Sequence, residues 1–299
     1  MRQSSCAEND VARLPFVDTH VHFWDLRDPV LRYEWLMPDW VHPVLGNIDG
    51  IKVQRYMAKD FISETRFQNV SKAIHVQAAI GIADPVAETR WLQAQADETG
   101  FPHGIVAHCD LASPDAQAVI ERHLEHPNVR GIRDFGRGDY LVDSDWKRGY
   151  GLLARHGLVF CLDPTVETMG KARSLANRYP EVTLSVDHAG YPHERTLEYF
   201  ELWRRGMKTA AGAPNVICKI SGLGMRDNAW TVESWRPWVH ACLESFGVER
   251  CFFGTNWPVD RQYSSYGDVV NAYDMLIDDL TADERVALFS GNAERIFQI

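Results

Sequence analysis

Eight short apolar runs, each bounded by turn-forming residues, recur along the chain: FVDTHVHFW, KAIHVQAAI, GIVAHCDL, VRGIRDF, LVFCLDP, VTLSVDHAG, VICKISGL and CFFGTNWPVD. Most are β-branched or aromatic and too short for helices, so the pattern predicts eight strands. The stretches between them read as helices. DPVAETRWLQAQADETG opens with Asp84 and Pro85, an N-cap followed by a first-turn proline, and ends near Gly100. SPDAQAVIERHLEHP repeats the device at Ser113 and Pro114. VETMGKARSLANRYP and TVESWRPWVHACLESFG are further amphipathic segments, and TADERVALFSGNAERIF closes the chain, with Thr281 as N-cap and Glu284 completing a capping box. Strand–helix units spaced roughly 25 to 35 residues apart predict an α/β fold, a (β/α)8 TIM barrel. The first connection, residues 23–72, is too long for a simple unit and is rich in Trp, Tyr and Pro. A long first βα loop lies over the C-terminal mouth, where such barrels place their active sites, and is read as pocket wall or lid.

The 299 residues suit one such barrel, a single domain 1–299 with residues 1–14 as an N-terminal extension. At 45% apolar residues, a large core forms without disulfides. The net charge of −10 argues against nucleic acid or an anionic membrane as partner, though local arginines can still hold an anionic substrate. The six cysteines are scattered, with no CxxC pair, and the start of the chain lacks the apolar stretch of a signal peptide; a cytoplasmic protein is expected. A small molecule is the expected partner, and self-association into a homo-oligomer stays open.

Strand alternation sharpens the chemistry. Side chains two apart share a face, so Val17, Val21 and Phe23 are expected to face the helices and Asp18, His20 and His22 to face the barrel interior. Burying three polar groups is unfavourable unless they are paired or used. His188 closes the sixth run, just before Gly190. Arg133 ends the fourth and Arg226 follows the seventh; guanidinium forks bind carboxylates in bidentate fashion. Lys219 is expected to pair with Asp18 or Asp163. Trp24, Trp35, Trp40 and Trp257 offer apolar walls, or core packing. His75 and His108 read as inward residues bonded to neighbours.

DTHVHFWD resembles the first-strand motif of the amidohydrolase superfamily, and more narrowly that of the lactonase branch with sugar lactonases and 2-pyrone-4,6-dicarboxylate lactonase. The resemblance continues through VRGIRDF, VDHAGYP, KISGL and FGTNWPVD, in the same order and over nearly the whole barrel. It implies that His188 binds or orients the hydrolytic water and that Arg133 and Arg226 hold acid groups of the substrate. It also exposes departures. Asn256 stands where the family usually carries a metal-binding or basic Asp, the fourth strand offers Arg133 in place of a Lys, and the fifth has no His. A two-metal centre is thereby not expected. A reaction without metal is favoured over one using a single Zn²⁺ or Mn²⁺ on His20, His22 and His188.

The expected function is hydrolysis of a small lactone bearing a carboxylate or sulfonate. His188, helped by Asp260, activates water; His20 and His22 stabilise the oxyanion; Arg133, Arg226, Asn256 and Trp257 bind substrate. Asp260 enters because the turn at Pro258 could bring it back over the mouth. The alternatives are a metal-dependent decarboxylase and a non-catalytic binding barrel.

Overall fold

The computed structural model describes residues 14–41 and 45–299; the expected extension, apart from Leu14, and Cys6 lie outside the described residues. The eight runs form eight strands: β1 Phe16–Val21, β2 Val70–Val76, β3 Gly104–His108, β4 Val129–Arg133, β5 Val159–Leu162, β6 Leu184–Val186, β7 Val216–Ile220 and β8 Cys251–Phe253. They are parallel neighbours in sequence order. Past the end of β8, the His22 N–H donates to the Trp257 carbonyl at 2.8 Å and the Trp257 N–H to the His20 carbonyl at 3.2 Å, which closes the ring. A helix follows each strand: α1 Ala58–Thr65, α2 Val86–Thr99, α3 Ala116–Leu124, α4 Ser144–Leu152, α5 Met169–Arg178, α6 Leu197–Ala210, α7 Val232–Phe246 and α8 Tyr266–Leu276. This is the (β/α)8 barrel. Among the described residues no helix is long and apolar enough to cross a membrane, and Cys109, Cys161, Cys218, Cys242 and Cys251 are buried free thiols.

Val17, Ile74, Val106, Val159, Ile217 and Phe252, one parity from six strands, meet in the barrel interior, and Phe297 packs against them from the chain's last helix. The other parity, including Ala73, Ile105, Phe160, Val216 and Phe253, joins the larger core beneath the helices. Helix ends follow the sequence signals with small shifts. Gly100, at φ 84°, ends α2, but α2 and α3 begin at Val86 and Ala116, after their prolines. The Thr281–Glu284 capping box forms; the closing helix, expected as one, is divided by a π turn at Ala287–Gly291.

β1 departs from the expected alternation. Val17 faces inward, and Asp18 faces the helices: its carboxylate accepts the Thr255 N–H at 2.9 Å, the Thr255 hydroxyl at 2.5 Å and the Tyr266 hydroxyl of α8 at 2.9 Å. The pairing register shifts between Asp18 and Val21. A bulge inserts a residue and reverses the phase of everything after it, so His20 and His22 reach the interior although Asp18 does not. His75, also expected inward, shares the parity of Ala73; its Nε2 lies 3.4 Å from the Phe23 carbonyl, on the helix side.

Candidate active site

At the C-terminal mouth lies a cavity of about 390 Å³, walled by His22, Gln77, Arg133, Asp163, His188 and Asn256 from the strand ends and by Trp35, Trp40 and Leu45 from the first loop. The long first connection thus forms a pocket wall. Trp35 is anchored by its indole N–H to the Ala78 carbonyl at 2.7 Å; Trp24 is wholly buried and belongs to the core. A larger cleft of about 620 Å³ opens between the loops after β3 and β4, and His108 lines it. His22 and His188 line the smaller cavity, which makes it the candidate site.

His20 lies beneath that cavity, wholly buried, with neither ring nitrogen hydrogen-bonded. Its ring centroid is 4.9 Å from that of His22 and 4.4 Å from that of His188. His22 Nδ1 lies 2.8 Å from the Val76 carbonyl. A carbonyl only accepts, so the ring proton sits on Nδ1 and Nε2 presents a lone pair. Burial first, and then neighbouring positive charge, hold both rings well below the ordinary histidine range, so both are neutral at pH 7.

His188 is aimed by unusual backbone. His188, Ala189 and Tyr191 have φ of 53°, 52° and 50°, with Gly190 at 70° between them. Side chains other than glycine adopt this left-handed region at about 1–3 kcal/mol each, and such outliers cluster at functional sites. Here the run lets two consecutive residues face inward: Asp187 by continuing the alternation from Ser185, and His188 by the reversed turn. His188 Nδ1 lies 3.0 Å from the Ser221 hydroxyl and Nε2 3.8 Å from Asp163 Oδ1. Gly222 makes room, since a Cβ there would come within 2.6 Å of His188 Nδ1.

The charges are paired. Asp187 accepts from the Ser185 hydroxyl at 2.8 Å and from Lys219 at 3.1 Å, which corrects the expected Lys219 partners. Arg133 Nη2 donates to Asp163 Oδ2 at 2.5 Å, and its guanidinium lies 4.4 Å from the Phe135 ring centroid. Burial pushes the Asp163 carboxyl up, but Arg133 and His188 outweigh it, so Asp163 is held below the usual range and ionised. Burial lowers His188 below the ordinary histidine range despite the opposing fields of Asp163 and Asp187.

The amidohydrolase family profile matches residues 17–299. The chain belongs to the amidohydrolase family. Protein y4mH of Sinorhizobium fredii is 38% identical over 96% of this chain and 99% of its own length. The L-fucono-1,5-lactonase of Burkholderia ambifaria is 28% identical over 95% of each chain. In structure, an amidohydrolase from Burkholderia multivorans with bound zinc superposes with a TM-score of 0.82 at 26% identity, covering 95% of this chain and 99% of that one.

In this amidohydrolase the strand-end histidines, Arg133 and Asn256 meet as the sequence suggested, but three expected site residues do not join them. Trp257 is wholly buried and gives its indole N–H to Glu64 at 3.0 Å; the chain here is past the end of β8, and Asn256, at φ 59°, lines the cavity while Trp257 does not. Arg226 is exposed, its Nε bonded to the His193 carbonyl at 3.1 Å, outside the cavity wall. Asp260 is buried behind Asn256, whose amide donates to Oδ1 at 3.0 Å, and it does not reach the cavity. Burial pushes its carboxyl up to about 7. Sequence reasoning gave no site role to Asp163 or Ser221; both follow directly on a strand end, the same signal that singled out His188.

The Burkholderia multivorans amidohydrolase holds zinc. His20 has two bare nitrogens and His22 one, but among the described residues no three His, Cys, Asp or Glu side chains are grouped to hold an ion. Asn256 offers no carboxylate, and Asp260 is turned away. Among the described residues, the His20–His22–His188 set does not complete a metal centre.

Proposed function

We propose that this amidohydrolase opens a small lactone ring with water activated by His188. The observation that carries the reading is a buried, neutral imidazole with Nε2 facing a cavity and an ionised carboxylate oxygen 3.8 Å away. Such a base takes a proton from water and returns it to the leaving ring oxygen, and the carboxylate stabilises the imidazolium between the two transfers. The relatives named L-fucono-1,5-lactonase support the reaction type.

The Arg133 guanidinium, which lines the cavity, is the donor suited to the developing oxyanion. His22 takes a different part from the one its sequence position suggests. With its proton spent on Val76, it accepts a hydrogen bond, from a substrate hydroxyl.

The same pairing speaks to substrate charge. Arg133 is paired with Asp163, Lys219 with Asp187, and Arg226 lies off the cavity wall, so among the described residues an acid-bearing lactone finds no uncompensated arginine or lysine lining the cavity. A neutral, hydroxyl-bearing lactone fits better, with the His22 Nε2 and Gln77 Oε1 acceptors and the Trp35 and Trp40 rings as partners. The decarboxylase reading needs an acidic metal ligand on the eighth strand, and Asn256 stands there. Measuring ring opening across γ- and δ-lactones with and without a carboxylate, before and after chelation, tests these statements together. The expected result is turnover of neutral lactones that survives chelation. Turnover confined to acid-bearing lactones defeats the charge argument, and stoichiometric metal that turnover requires defeats the metal-free reading.

A further inference from the structure

Asp163 has two oxygens in different situations. Oδ2 is bound by Arg133 at 2.5 Å, whereas Oδ1 is buried and has no hydrogen-bond partner, although the residue lines the cavity. Buried carboxylate oxygens are rarely left unbonded, and one that is points to an absent partner. His188 Nε2 lies 3.8 Å from it. That is too long for a hydrogen bond. In the tautomer that carries its proton on Nδ1, with the Ser221 hydroxyl accepting it, both atoms are acceptors and do not satisfy each other. A single water about 2.8 Å from each would satisfy both by donating its two hydrogens, leaving its lone pairs free.

We propose that Asp163 is a catalytic residue that, with His188, seats the nucleophilic water, and that it supplies from the fifth strand the carboxylate that Asn256 cannot supply from the eighth. The inference rests on the lactonase reading. The water gives one proton to His188 Nε2 as its oxygen bonds to the lactone carbonyl carbon, while its second hydrogen stays on that oxygen and is hydrogen-bonded to Asp163 Oδ1. The tetrahedral intermediate collapses with cleavage of the ring C–O bond, and His188 returns its proton to the ring oxygen. The new carboxylic acid, held at Asp163, loses its proton to solvent; lactone and water have become a hydroxycarboxylate and a proton. Arg133, bound to the other oxygen, fixes the carboxylate plane so that Oδ1 keeps its aim.

The alternative is that Asp163 only anchors Arg133. Asp163→Asn keeps an oxygen for Arg133 but turns an N–H toward the water position. Asp163→Ala opens a space that added formate can fill. If the proposal holds, Asp163→Asn lowers kcat on the best neutral lactone by about 100-fold or more while KM stays within about threefold. Asp163→Ala loses as much, and formate restores at least about tenfold of it. Circular dichroism and melting of each variant establish that it is folded. If Asp163→Asn keeps kcat within about threefold of wild type, or if folded Asp163→Ala is not restored by formate, the proposal is overturned and the lactonase reading stands. If the wild type opens no lactone, the lactonase reading fails and the proposal with it.

Discussion

The fifth and eighth strand ends of this barrel each bring an aspartate toward the mouth, and the fold treats the two oppositely. Asp163 lies beside Arg133 and His188 on the cavity wall, and those positive and polarisable neighbours keep it charged against the effect of burial. Asp260 is enclosed behind Asn256 with, among the described residues, no cation to lower it, and burial carries it up to about 7. Both are aspartates within a few residues of a strand end. The difference is what surrounds them. A carboxylate is available to chemistry when a counter-charge offsets its desolvation and a cavity reaches it. Asp163 meets both conditions and Asp260 neither, so the charged groups of the mouth gather on β4 to β7, while the β8 side supplies shape and an amide.

The comparison breaks most severely at His188. If the charged side is the reaction centre, His188→Ala lowers kcat by about 100- to 10,000-fold, with little change in the fold. Wild type and variant turning over every lactone alike would move the reaction centre elsewhere. The next largest effect is on stability. Lys219 and Asp187 are wholly buried and paired at 3.1 Å. Removing one partner of such a pair leaves an uncompensated charge, at about 3–5 kcal/mol. Lys219→Met is therefore expected to lower the urea unfolding free energy by that order, and a loss below about 1 kcal/mol would show that the charged side is not held by pairing.

A third test reads the uncharged side directly. The Asp260 carboxyl titrates at about 7 in the fold and at about 4 in the unfolded chain, so between those values the folded state holds more protons. Its contribution is complete below about pH 4 and is lost as pH rises through 7. The buried histidines have the opposite sign: their folded pKa is lowered, so their contribution is present above about pH 6.5 and lost on acidification. Asp260→Asn isolates the first effect. Between pH 5 and pH 8 the melting temperature of the wild type should fall relative to this variant; a constant difference would mean that Asp260 is ionised throughout, and that the two aspartates are alike after all.

The barrel was legible because its signal is repeated eight times, and an error in one strand leaves the period intact. The site was legible where a side chain follows strand parity to the mouth, as at Arg133, or where a polar residue closes an apolar run, as at His188. What was hidden depends on local backbone that no pattern announces. The bulge in β1 reverses the parity between Asp18 and His20, so the two histidines were placed correctly from an alternation the strand does not keep. The left-handed turn at His188 lets Asp187 and His188 both face inward, where a regular strand would have parted them. The turn at Pro258 was expected to bring Asp260 over the mouth; it buries the carboxyl against Gly224 and Asn256 instead.

Arg226 provides the smallest expected effect and the sharpest limit on the comparison. It was matched with Arg133 as an acid-binding pair, yet Arg133 is buried and ion-paired whereas Arg226 is exposed and bonds the His193 carbonyl. His193 lines the cavity, so this bond links Arg226 to the site. An exposed cation contributes at most about 1 kcal/mol in high-dielectric surroundings. Arg226→Ala should therefore change kcat/KM for a neutral lactone by no more than about fivefold, with any change in KM, since the residue meets none of the reacting atoms. An acid-bearing lactone separates the possibilities further. If its KM rises tenfold or more in Arg226→Ala while that of the neutral lactone does not, a rim cation recruits anions after all. The charge compensation between β4 and β7 would then describe the floor of the site but not its entrance.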